Sequence, residues 1–349
     1  MVLESFNLQD SLNYLIDLGV YDVLLPFLLV FSIVFATLEK TAILGKDKSN
    51  INAIVAVVTG LLLVVQRGIV DTINIFLPRI SNLVHIIFFI GASIALYAFF
   101  IEPYWLEVRN VEITTDKVKT EFTVVQISDL HCDTKVRNEV KLVQLINQMA
   151  PDIIVFTGDA INTREATPLF KQVLSQLNAR LGKVAVRGNW DVWFWSDEDL
   201  FGGTGFIELN GDKKVFTKTG EKIAVIGFSP EHQTKFPETM NNLSPGIYNI
   251  LLYHYPGINE EIENAPIDLF LSGHTHGGQV ALPFYGAIIT LSKYGKKYEA
   301  GLYKLNNEKF LYVNRGIGME GGIAPRVRFF ARPEITIFHI KPKNSKENL

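Results

Sequence analysis

The stretch FTVVQISDLH, residues 122–131, places a strand-like apolar run directly before Asp129 and His131. The run is rich in valine, isoleucine and phenylalanine, which favour a buried strand, and the polar side chains follow where the strand would end. The same order of apolar run and polar residues recurs four more times along the chain. It gives Gly158-Asp159, Gly188-Asn189-Trp190-Asp191, Tyr253-His254-Tyr255, and Ser272-Gly273-His274-Thr275-His276-Gly277-Gly278.

From about residue 113 onward, short apolar runs alternate with amphipathic stretches, which is typical of an α/β chain. We predict buried strands at 122–127, 153–157, 183–187, 223–228, 248–253, 268–271 and 310–313. One predicted helical face comprises Val136, Val140, Val143, Ile146 and Met149, and a second comprises Leu169, Phe170, Val173, Leu174 and Leu177. Loops at the carboxyl ends of strands converge on one edge of an α/β sheet, so the five polar segments are expected to meet there.

Aspartate, asparagine and histidine at these strand ends are the ligand types of a site for two divalent cations. They suit Mn, Fe or Zn, and no thiolate accompanies them. Asp159 stands between the flanking ligand sets and is best placed to bridge two cations about 3.5 to 4 Å apart, which would clamp a phosphoryl group and lower the pKa of a bridging water. The single cysteine, Cys132, fits no ligand position and is interpreted as a small buried residue.

Composition excludes several classes of protein. The chain has 349 residues, of which 48% are hydrophobic and 20% charged, so it is neither disordered nor collagen-like. A net charge of −3 gives no electrostatic reason to expect nucleic acid as a partner. One cysteine cannot form an intrachain disulfide, which excludes a disulfide-rich scaffold.

The first 101 residues are poor in charge, with five Lys or Arg and seven Asp or Glu, and predict an α-helical membrane-anchoring region over 1–105. Apolar segments lie near 23–38, 50–66 and 80–101. The last one holds 22 uncharged residues between Arg79 and Glu102, or about 33 Å of helix, enough to cross a bilayer. The first two lie at or below the lower length limit for a spanning helix, and core helices of a soluble domain are the alternative.

With three spans the protein is an integral, multi-pass membrane protein, and basic residues then predict its orientation. Six Lys or Arg flank one side of the membrane and only Arg67 and Arg79 flank the other, which places the C-terminal domain in the cytoplasm. If one short segment lies in the membrane interface instead of crossing, the number of spans becomes even, and the C-terminal domain is then outside the cytoplasm. A polar tail at 342–349 follows the domain.

The five polar segments resemble, in this order, the D-x-H, G-D, G-N-H-D/E, H and G-H-x-H motifs of the calcineurin-like metallophosphoesterase superfamily. The resemblance covers about residues 107–341. SGHTHGGQ at 272–279, Asn314-Arg315-Gly316-Ile317-Gly318, Arg332-Pro333-Glu334 and Glu102-Pro103 are similar to the membrane-associated bacterial and archaeal branch. That branch includes phosphodiesterases and, more distantly, UDP-2,3-diacylglucosamine pyrophosphatases. The resemblance implies a layered α/β sandwich in which helices flank two β-sheets.

The resemblance also implies which residues hold the two cations. One metal would be bound by Asp129, His131, Asp159 and His276, and the other by Asp159, Asn189, His254 and His274. His85, His232 and His339 match no motif position.

One position departs from the family pattern. The histidine of G-N-H-D, usually assigned to the transition state or the leaving group, is Trp190, and an indole cannot transfer a proton near neutral pH. His232 is a candidate proton donor in place of the missing histidine. The motifs identify no other catalytic residue in this chain, and Asp191 is a candidate supporting residue. Four aromatic residues follow Asn189 closely: Trp190, Trp193, Phe194 and Trp195. They form either a buried corner of the core or an apolar lip over the metals, and in the second case Trp190 and Trp193 would contact the substrate.

These residues predict a membrane-anchored phosphohydrolase with two divalent metal ions. Its substrate would be a phosphodiester or pyrophosphate, lipid- or nucleotide-linked, because a pyrophosphate leaving group needs little protonation. The alternative is an impaired enzyme that binds a phosphorylated ligand without cleaving it. A third possibility, a channel with an accessory phosphoesterase, finds little support, because the spanning segments carry no buried charges. The sequence leaves the oligomeric state open.

Overall fold

The structure, a computed structural model, describes residues 20–41, 49–64, 87–258, 262–305, 309–320 and 325–343. The chain divides into two compact units, Met1–Ser93 and Ile94–Leu349.

The described residues of the first unit include the apolar helices α1 (Val20–Thr41) and α2 (Ser49–Val64). A Cβ on Gly60 of α2 would lie 2.9 Å from the Phe27 ring of α1, so glycine permits the close packing of these helices. Their apolar stretches, Pro26–Leu38 and Ile51–Leu62, are each shorter than a membrane span requires. The predicted multi-pass arrangement therefore lacks support in the described part of this unit.

A third apolar helix, α3 (residues 87–96), continues through a π-helical turn at Tyr97–Ile101 and a 3₁₀ turn at Glu102–Tyr104. Within the described residues, Ile87–Tyr104 is the one helical segment long and apolar enough to cross a membrane. Residues 80–86 of the predicted span lie outside the described ranges.

The second unit is built on two six-stranded sheets. The first has the order β1-β14-β2-β3-β4-β5. Its strands are β1 (Glu107–Thr115), β2 (Phe122–Ile127), β3 (Ile153–Phe156), β4 (Gly182–Ala185), β5 (Phe206–Glu208) and β14 (Glu334–Pro342). Strands β2 to β5 run parallel, with Val124 paired to Ile153 and Ile153 to Gly182, whereas β14 is antiparallel to β2.

The second sheet has the order β12-β13-β9-β8-β7-β6. Its strands are β6 (Asp212–Lys218), β7 (Glu221–Phe228), β8 (Tyr248–Tyr253), β9 (Leu269–Ser272), β12 (Gly301–Lys304) and β13 (Phe310–Val313). The central four run parallel, and the edge strands β6 and β12 are antiparallel to their neighbours. A small hairpin pairs β10 (Ala281–Leu282) with β11 (Gly286–Ala287).

Alternating residues along the strands divide the buried side chains into three layers. Phe122, Val124 and Val155 of the first sheet share a core with Val225 and Leu252 of the second. The outer face of the first sheet packs on helices α4 (Glu139–Met149) and α5 (Thr167–Ser175), and the outer face of the second packs on α7 (Phe236–Asn241). A short helix, α6 (Asn189–Trp195), follows β4. This mixed fold with two large sheets agrees with the predicted α/β sandwich.

All seven predicted strands are present, and no end differs from the prediction by more than two residues. The face predicted for α5 is confirmed, since Phe170, Val173 and Leu174 are buried, and Leu177, also buried, follows the end of the helix at Ser175. The face predicted for α4 is partly wrong. The helix starts only at Glu139, so Val136 precedes it, and both Val136 and Val140 are exposed. Leu142 and Ile146 are the buried apolar residues of this helix, and Ile146 was on the predicted face.

Candidate metal centre

Five strands of the two sheets deliver the predicted ligands to one edge of the sandwich. Asp129 and His131 follow β2, Asp159 follows β3, and Asn189 begins α6 directly after β4. His254 follows β8, and His274 and His276 follow β9. The buried Gln126 links the sheets here, because its Nε2 donates to Thr157 Oγ1 at 3.0 Å and to the Ser272 carbonyl at 2.9 Å.

The structure brings five of the predicted ligands into direct proximity. Asp159 Oδ2 lies 3.2 Å from His254 Nε2 and 3.5 Å from His131 Nε2, so this oxygen stands between two histidines. Asp129 Oδ1 lies 3.3 Å from His276 Nε2 and 3.9 Å from His254 Nε2. Two groups have ligand atoms within 4.8 Å of one another, Asp129 with His131 and His276, and Asp129 with Asp159 and His254.

The other two predicted ligands, Asn189 and His274, border these groups. The His274 ring centroid is 5.2 Å from that of His254, and the His274 backbone N–H donates to Asp129 Oδ1 at 3.0 Å. Asn189 is buried, and the N–H of the next residue, Trp190, donates to Asp159 Oδ1 at 2.9 Å. All seven residues therefore lie in one region.

Hydrogen bonds on the far side of the histidine rings leave one ring nitrogen free toward this region. His131 Nδ1 is 2.9 Å from Asn162 Oδ1, and His254 Nδ1 is 2.7 Å from the Thr157 carbonyl. Because both partners accept, Nδ1 carries a proton in each ring, and Nε2 is the nitrogen that faces the cluster and could bind a metal, as in metal sites where an outer partner fixes the tautomer. His274 is oriented the other way, with Nε2 3.3 Å from the Leu291 carbonyl.

Several buried ligand-type atoms here have no hydrogen-bond partner among the described residues: His131 Nε2, His254 Nε2, His276 Nδ1 and Asn189 Oδ1. A buried polar atom without a partner is costly, and in a native structure it indicates a group that binds something else. Three of them, His131 Nε2, His254 Nε2 and Asn189 Oδ1, belong to residues around Asp159. The donor set therefore fits divalent cations, which bind neutral imidazoles, carboxylates and amide oxygens.

The charges of the cluster support the same fit. Burial alone would raise the pKa of the Asp159 carboxyl, but the adjacent His254 and His131 hold it well below its usual value. Burial opposes charge on His254 as well, yet the Asp159 and Asp129 carboxylates raise its pKa to about 10. Without a cation, protons on histidine thus balance the buried carboxylates. Divalent cations would supply that balance instead and release the protons.

Strained backbone accompanies the ligands. Asp129, His131, Asp159, His274 and His276 all have positive φ, between 38° and 72°. A left-handed conformation is unfavourable for residues other than glycine, and such strain concentrates at functional sites. Hydrogen bonds hold two of these turns, since the His131 N–H donates to the Asp159 carbonyl and the Asp129 N–H to that of Gly158.

Glycines next to the ligands allow the loops to approach one another. A Cβ on Gly188 would lie 2.2 Å from Asp159 Oδ1, and one on Gly273 would lie 2.2 Å from Asp129 Oδ2. Any larger residue at either position would displace a carboxylate of the site.

Asp191 supports the loop that carries Asp159. Its fully buried carboxylate accepts 2.8 Å hydrogen bonds from the backbone N–H groups of Asp159, Ala160 and Gly188. Burial, with the nearby Asp159 charge, raises the pKa of Asp191 to about 6. Asp191 therefore ties the loop that carries Asp159 to the start of α6.

The late segment 314–318 supports Asp129 from the opposite side. The Gly318 N–H donates to the Asp129 carbonyl at 2.7 Å, and a Cβ on Gly316 would lie 2.5 Å from that of Asp129. Arg315 anchors the segment through 2.6 Å ion pairs with Glu334 and Glu107. The motifs at 314–318 and 332–334 are therefore structural supports of the site.

Two residues near the site were missed from the sequence. Asn162 orients His131 through both ends of its amide, because its Nδ2 also donates to the His131 carbonyl at 2.9 Å. Glu320 accepts from Trp190 Nε1 at 3.2 Å. The sequence signals Asn162 only as a polar residue three positions after Asp159, and nothing in the motif spacing indicates Glu320.

The aromatic segment after Asn189 is a helix, so the alternation that a buried strand corner would show is absent. Trp190 packs edge-on against His131 with ring centroids 5.2 Å apart. Trp195 packs on the core, whereas Trp193 and Phe194 are exposed, Trp193 by 65%. One of the four rings therefore lies at the ligands, one packs on the core and two are exposed at the surface.

His339 and Cys132 contribute no atom to the two groups of ligands. His339 pairs with Glu121 at 2.8 Å on β14. His85 lies outside the described residues, as does the side chain of His232 in the turn Pro230–Lys235. Cys132 is fully buried, with its Sγ 3.6 Å from Glu139 Oε1, in keeping with a structural role.

A cavity of about 390 Å³ adjoins the ligands His274 and His276. Its other walls are largely apolar and include Val280, Ile288 and Leu291. The site therefore joins a charged ligand cluster to an apolar recess, an arrangement suited to a ligand with one charged and one apolar part.

Comparison with known proteins gives a consistent result. The profile of the family described as calcineurin-like phosphoesterase matches residues 122–278. An uncharacterized metallophosphoesterase of Bacillus subtilis, YkuE, is 36% identical over 71% of this chain and 90% of its own length. One from Aquifex aeolicus is 30% identical over 74% of this chain and all of its own length. The UDP-2,3-diacylglucosamine pyrophosphatase LpxG of Chlamydia muridarum is 26% identical over 71% and 97%.

Proposed function

This chain belongs to the calcineurin-like phosphoesterase family, whose members are metal-dependent hydrolases of phosphate bonds, and we propose that it hydrolyses an amphiphilic phosphodiester or pyrophosphate with two bound divalent cations. The observation that carries the proposal is the set of unpartnered ligand atoms, His131 Nε2, His254 Nε2 and Asn189 Oδ1, around Asp159. Such a set is costly unless cations complete it.

We assign the ligands as the motif order implies. Asp129, His131 and His276 hold one cation, Asn189, His254 and His274 hold the other, and Asp159 is shared. The position of Asp159 Oδ2, 3.2 Å from His254 Nε2 and 3.5 Å from His131 Nε2, supports the shared role. Two cations so held would clamp a phosphoryl group and lower the pKa of an attacking water. Which metals occupy the site is a matter for metal analysis.

The residues of the chain prepare the site before substrate arrives. Asn162 and the Thr157 carbonyl fix the tautomers of His131 and His254, and Asp191 holds the loop of Asp159. Such preorganised charge is the largest contribution that a protein makes to this kind of catalysis.

Trp190 limits the leaving groups that the site can serve. Its indole N–H donates to Glu320, and an indole provides no proton to a departing alkoxide. A phosphate or nucleotide leaving from a pyrophosphate is a much weaker base and needs no such help. The apolar recess beside His274 and the exposed Trp193 favour a substrate with a lipid or nucleobase part.

An impaired, ligand-binding protein is the second candidate, and the Trp190 substitution favours it. The free ligand atoms and the five strained ligand backbones support bound cations for this candidate as well as for an enzyme. Binding of a phosphorylated compound without turnover distinguishes this candidate from an enzyme.

We place the catalytic domain at 107–341 and its anchor before it. The helical segment Ile87–Tyr104 supports anchoring, since it is long and apolar enough to cross a membrane. With three spans, the excess of basic residues on one side of the apolar segments places the domain in the cytoplasm. Further spans remain part of the proposal.

The test compares manganese-dependent hydrolysis of a pyrophosphate-linked substrate, an aryl phosphodiester and an alkyl phosphodiester by the purified full chain. We expect the first two to turn over faster than the third, with activity lost in Asp159→Ala and kept in Asp197→Ala, which removes an exposed carboxylate paired with Arg164. Trp190→His should raise alkyl turnover. Faster alkyl turnover by the natural chain would refute the leaving-group reasoning, and binding without any turnover would refute the enzyme.

A further inference from the structure

A short hairpin next to the ligands exposes an unusual amount of apolar surface. It pairs β10 with β11, and we call residues 281–291 the apolar hairpin. Phe284 at its turn is fully exposed and has a φ of 64°, a conformation that phenylalanine seldom adopts. The other exposed large apolar residues of the hairpin are Leu282, Tyr285, Ile288, Ile289 and Leu291. A contiguous apolar patch of this kind marks a surface that contacts a partner or a membrane.

Lysines and tyrosines surround the apolar hairpin. Lys296 lies 4.2 Å from the centre of the Tyr285 ring and donates to the Ala287 carbonyl. Lys293 and Lys297 lie over the neighbouring Tyr294 ring at 5.5 and 5.9 Å. Glu299 pairs with Lys296 at 2.9 Å, which leaves two further lysines near the hairpin. Aromatic rings with cationic neighbours around an apolar tip are typical of proteins that bind anionic membrane surfaces.

The hairpin is joined to the end of the apolar helix within the same compact unit. The backbone of Phe329 bonds to Gln279 and Ala281 at the base of the hairpin, at 2.9 and 2.8 Å. Its ring meets that of Tyr97 edge-on at 6.1 Å, and the Arg328 N–H donates to the Ala98 carbonyl. One segment therefore separates the hairpin from a helix that is long enough to cross a bilayer.

The helix end and the linking segment are themselves apolar and exposed. Leu96, Phe100 and Phe330 each expose more than half of their surface. If this helix spans a membrane, its last turn lies at the interface, and a hairpin one segment away lies within reach of the headgroups. This continuity selects a bilayer over a soluble protein as the occupant of the exposed surface.

We propose that the apolar hairpin inserts its side chains into an anionic phospholipid bilayer, so that the catalytic unit lies against the membrane as well as being anchored to it. The cavity beside His274 and His276 shares Ile288, Ile289 and Leu291 with the hairpin, so docking would bring this recess to the level of the lipid. A phosphorylated amphiphile then reaches the ligands without leaving the membrane. This docking rests on the membrane anchor given under the proposed function, but it does not require that the protein hydrolyse a substrate.

The test uses a fluorescent label whose emission reports its surroundings, attached to single introduced cysteines in the full chain. The natural Cys132 is fully buried, so the unsubstituted chain serves as the blank. Phe284→Cys probes the hairpin and Phe100→Cys the apolar helix. Lys119→Cys is the matched control, because Lys119 is exposed just before β2, at the opposite end of the strands from the ligands. The chains are reconstituted in vesicles containing phosphatidylglycerol, with or without nitroxide-labelled acyl chains.

We expect the labels at 284 and 100 to emit at shorter wavelength and to be quenched by the nitroxide lipid at least twofold, whereas the label at 119 stays in water. Quenching at 100 without quenching at 284 would overturn the docking of the hairpin and leave the anchor intact. A shielded label at 284 that no nitroxide quenches would also overturn it, in favour of contact with a second copy.

Hydrolysis of a soluble aryl diester, measured on the same vesicles, separates the two proposals. Hydrolysis without quenching at 284 refutes docking alone, and quenching without hydrolysis upholds docking while the proposed activity fails. Loss of quenching at 284 in vesicles of neutral lipid is the expected sign that the lysines contribute.

Discussion

Replacing Asn162 by leucine should weaken metal binding although Asn162 is not a ligand. The side chain accepts from His131 Nδ1 at 2.9 Å and donates to the carbonyls of His131 and Met319 at 2.9 and 3.1 Å. Leucine has a similar volume but cannot replace these bonds, so the His131 ring loses the partner that fixes its tautomer and direction. Removing such a partner costs about 10- to 100-fold in metal affinity, or about 1.4 to 2.7 kcal/mol.

The metal-free protein should lose stability as well, because the substitution removes the donor to the buried Met319 carbonyl, at about 1 to 3 kcal/mol for an unsatisfied group, and leaves the His131 carbonyl with Arg137 as its donor. Asn162→Asp separates the two effects. It keeps an acceptor for His131 Nδ1 but loses the donors, so it should be destabilised while binding metal with nearly natural affinity. Asn178→Leu, which removes an exposed amide, is the control and should change neither quantity.

Calorimetric titration of the metal-free proteins with Mn²⁺ measures the affinity, and chemical denaturation measures the stability. Circular dichroism of each variant establishes that it is folded before titration. A folded Asn162→Leu protein that binds manganese as tightly as the natural chain would refute the claim that Asn162 prepares His131 for a cation.

Three further predictions follow from the contacts of the second unit. Asp191→Asn should lower the free energy of unfolding by about 2 to 4 kcal/mol in denaturant titrations, since an amide cannot accept all three backbone bonds to Asp159 and its neighbours; an unchanged unfolding midpoint would contradict this. Manganese binding at pH 7 should release protons, because it must displace the proton that a pKa of about 10 keeps on His254; a heat of binding independent of the buffer's ionisation enthalpy would argue against it. Burial by itself would raise the pKa of Asp152, but the Lys218 ion pair at 2.6 Å and hydrogen bonds from Thr123 lower it. The ionised Asp152 therefore contributes its full stabilisation of the folded protein above the unfolded pKa near 3.9. This contribution is lost as the pH falls through the lower folded pKa. Asp152→Asn should therefore flatten the acid side of the stability profile, and an unaltered profile would show that the pair contributes nothing.

The site was largely predictable because each pair of strand and ligand is local in sequence. An apolar run such as 122–127 predicts its own strand, and the polar residues that follow must lie at its end. The parallel order of the strands then brings Asp129, Asp159 and His254 together from distant positions. The left-handed backbone at the ligands was not predictable, since φ values near Asp159 arise from tertiary hydrogen bonds.

The strands missed from the sequence lie mostly at sheet edges or carry polar residues. Strand β6 exposes Lys213 and Lys214 and buries only Phe216 fully, so its pattern lacks the continuous apolar run of a central strand. The face of α4 was predicted from valine spacing, and its Ile146 is buried as predicted, but the helix starts at Glu139 and buries Leu142 in place of Val140. Local periodicity cannot fix the position at which a helix begins.

The role of Asn162 escaped notice for a different reason. It acts through His131, 31 residues earlier, and its contact depends on how two loops cross. Trp190, in contrast, is recognisable from the sequence, because it stands where the family motif has histidine. Its contacts with His131 and Glu320 are visible only in the structure.

The most direct test of the two-cation site is a crystal structure of the manganese-loaded chain with anomalous data at the manganese edge. Two peaks about 3.5 to 4 Å apart are expected, with the Asp159 carboxylate between them. His131 and His276 should contact one peak, and Asn189 and His254 the other. A single peak, or peaks that leave Asp159 uncoordinated, would contradict the assignment of this cluster as a binuclear centre.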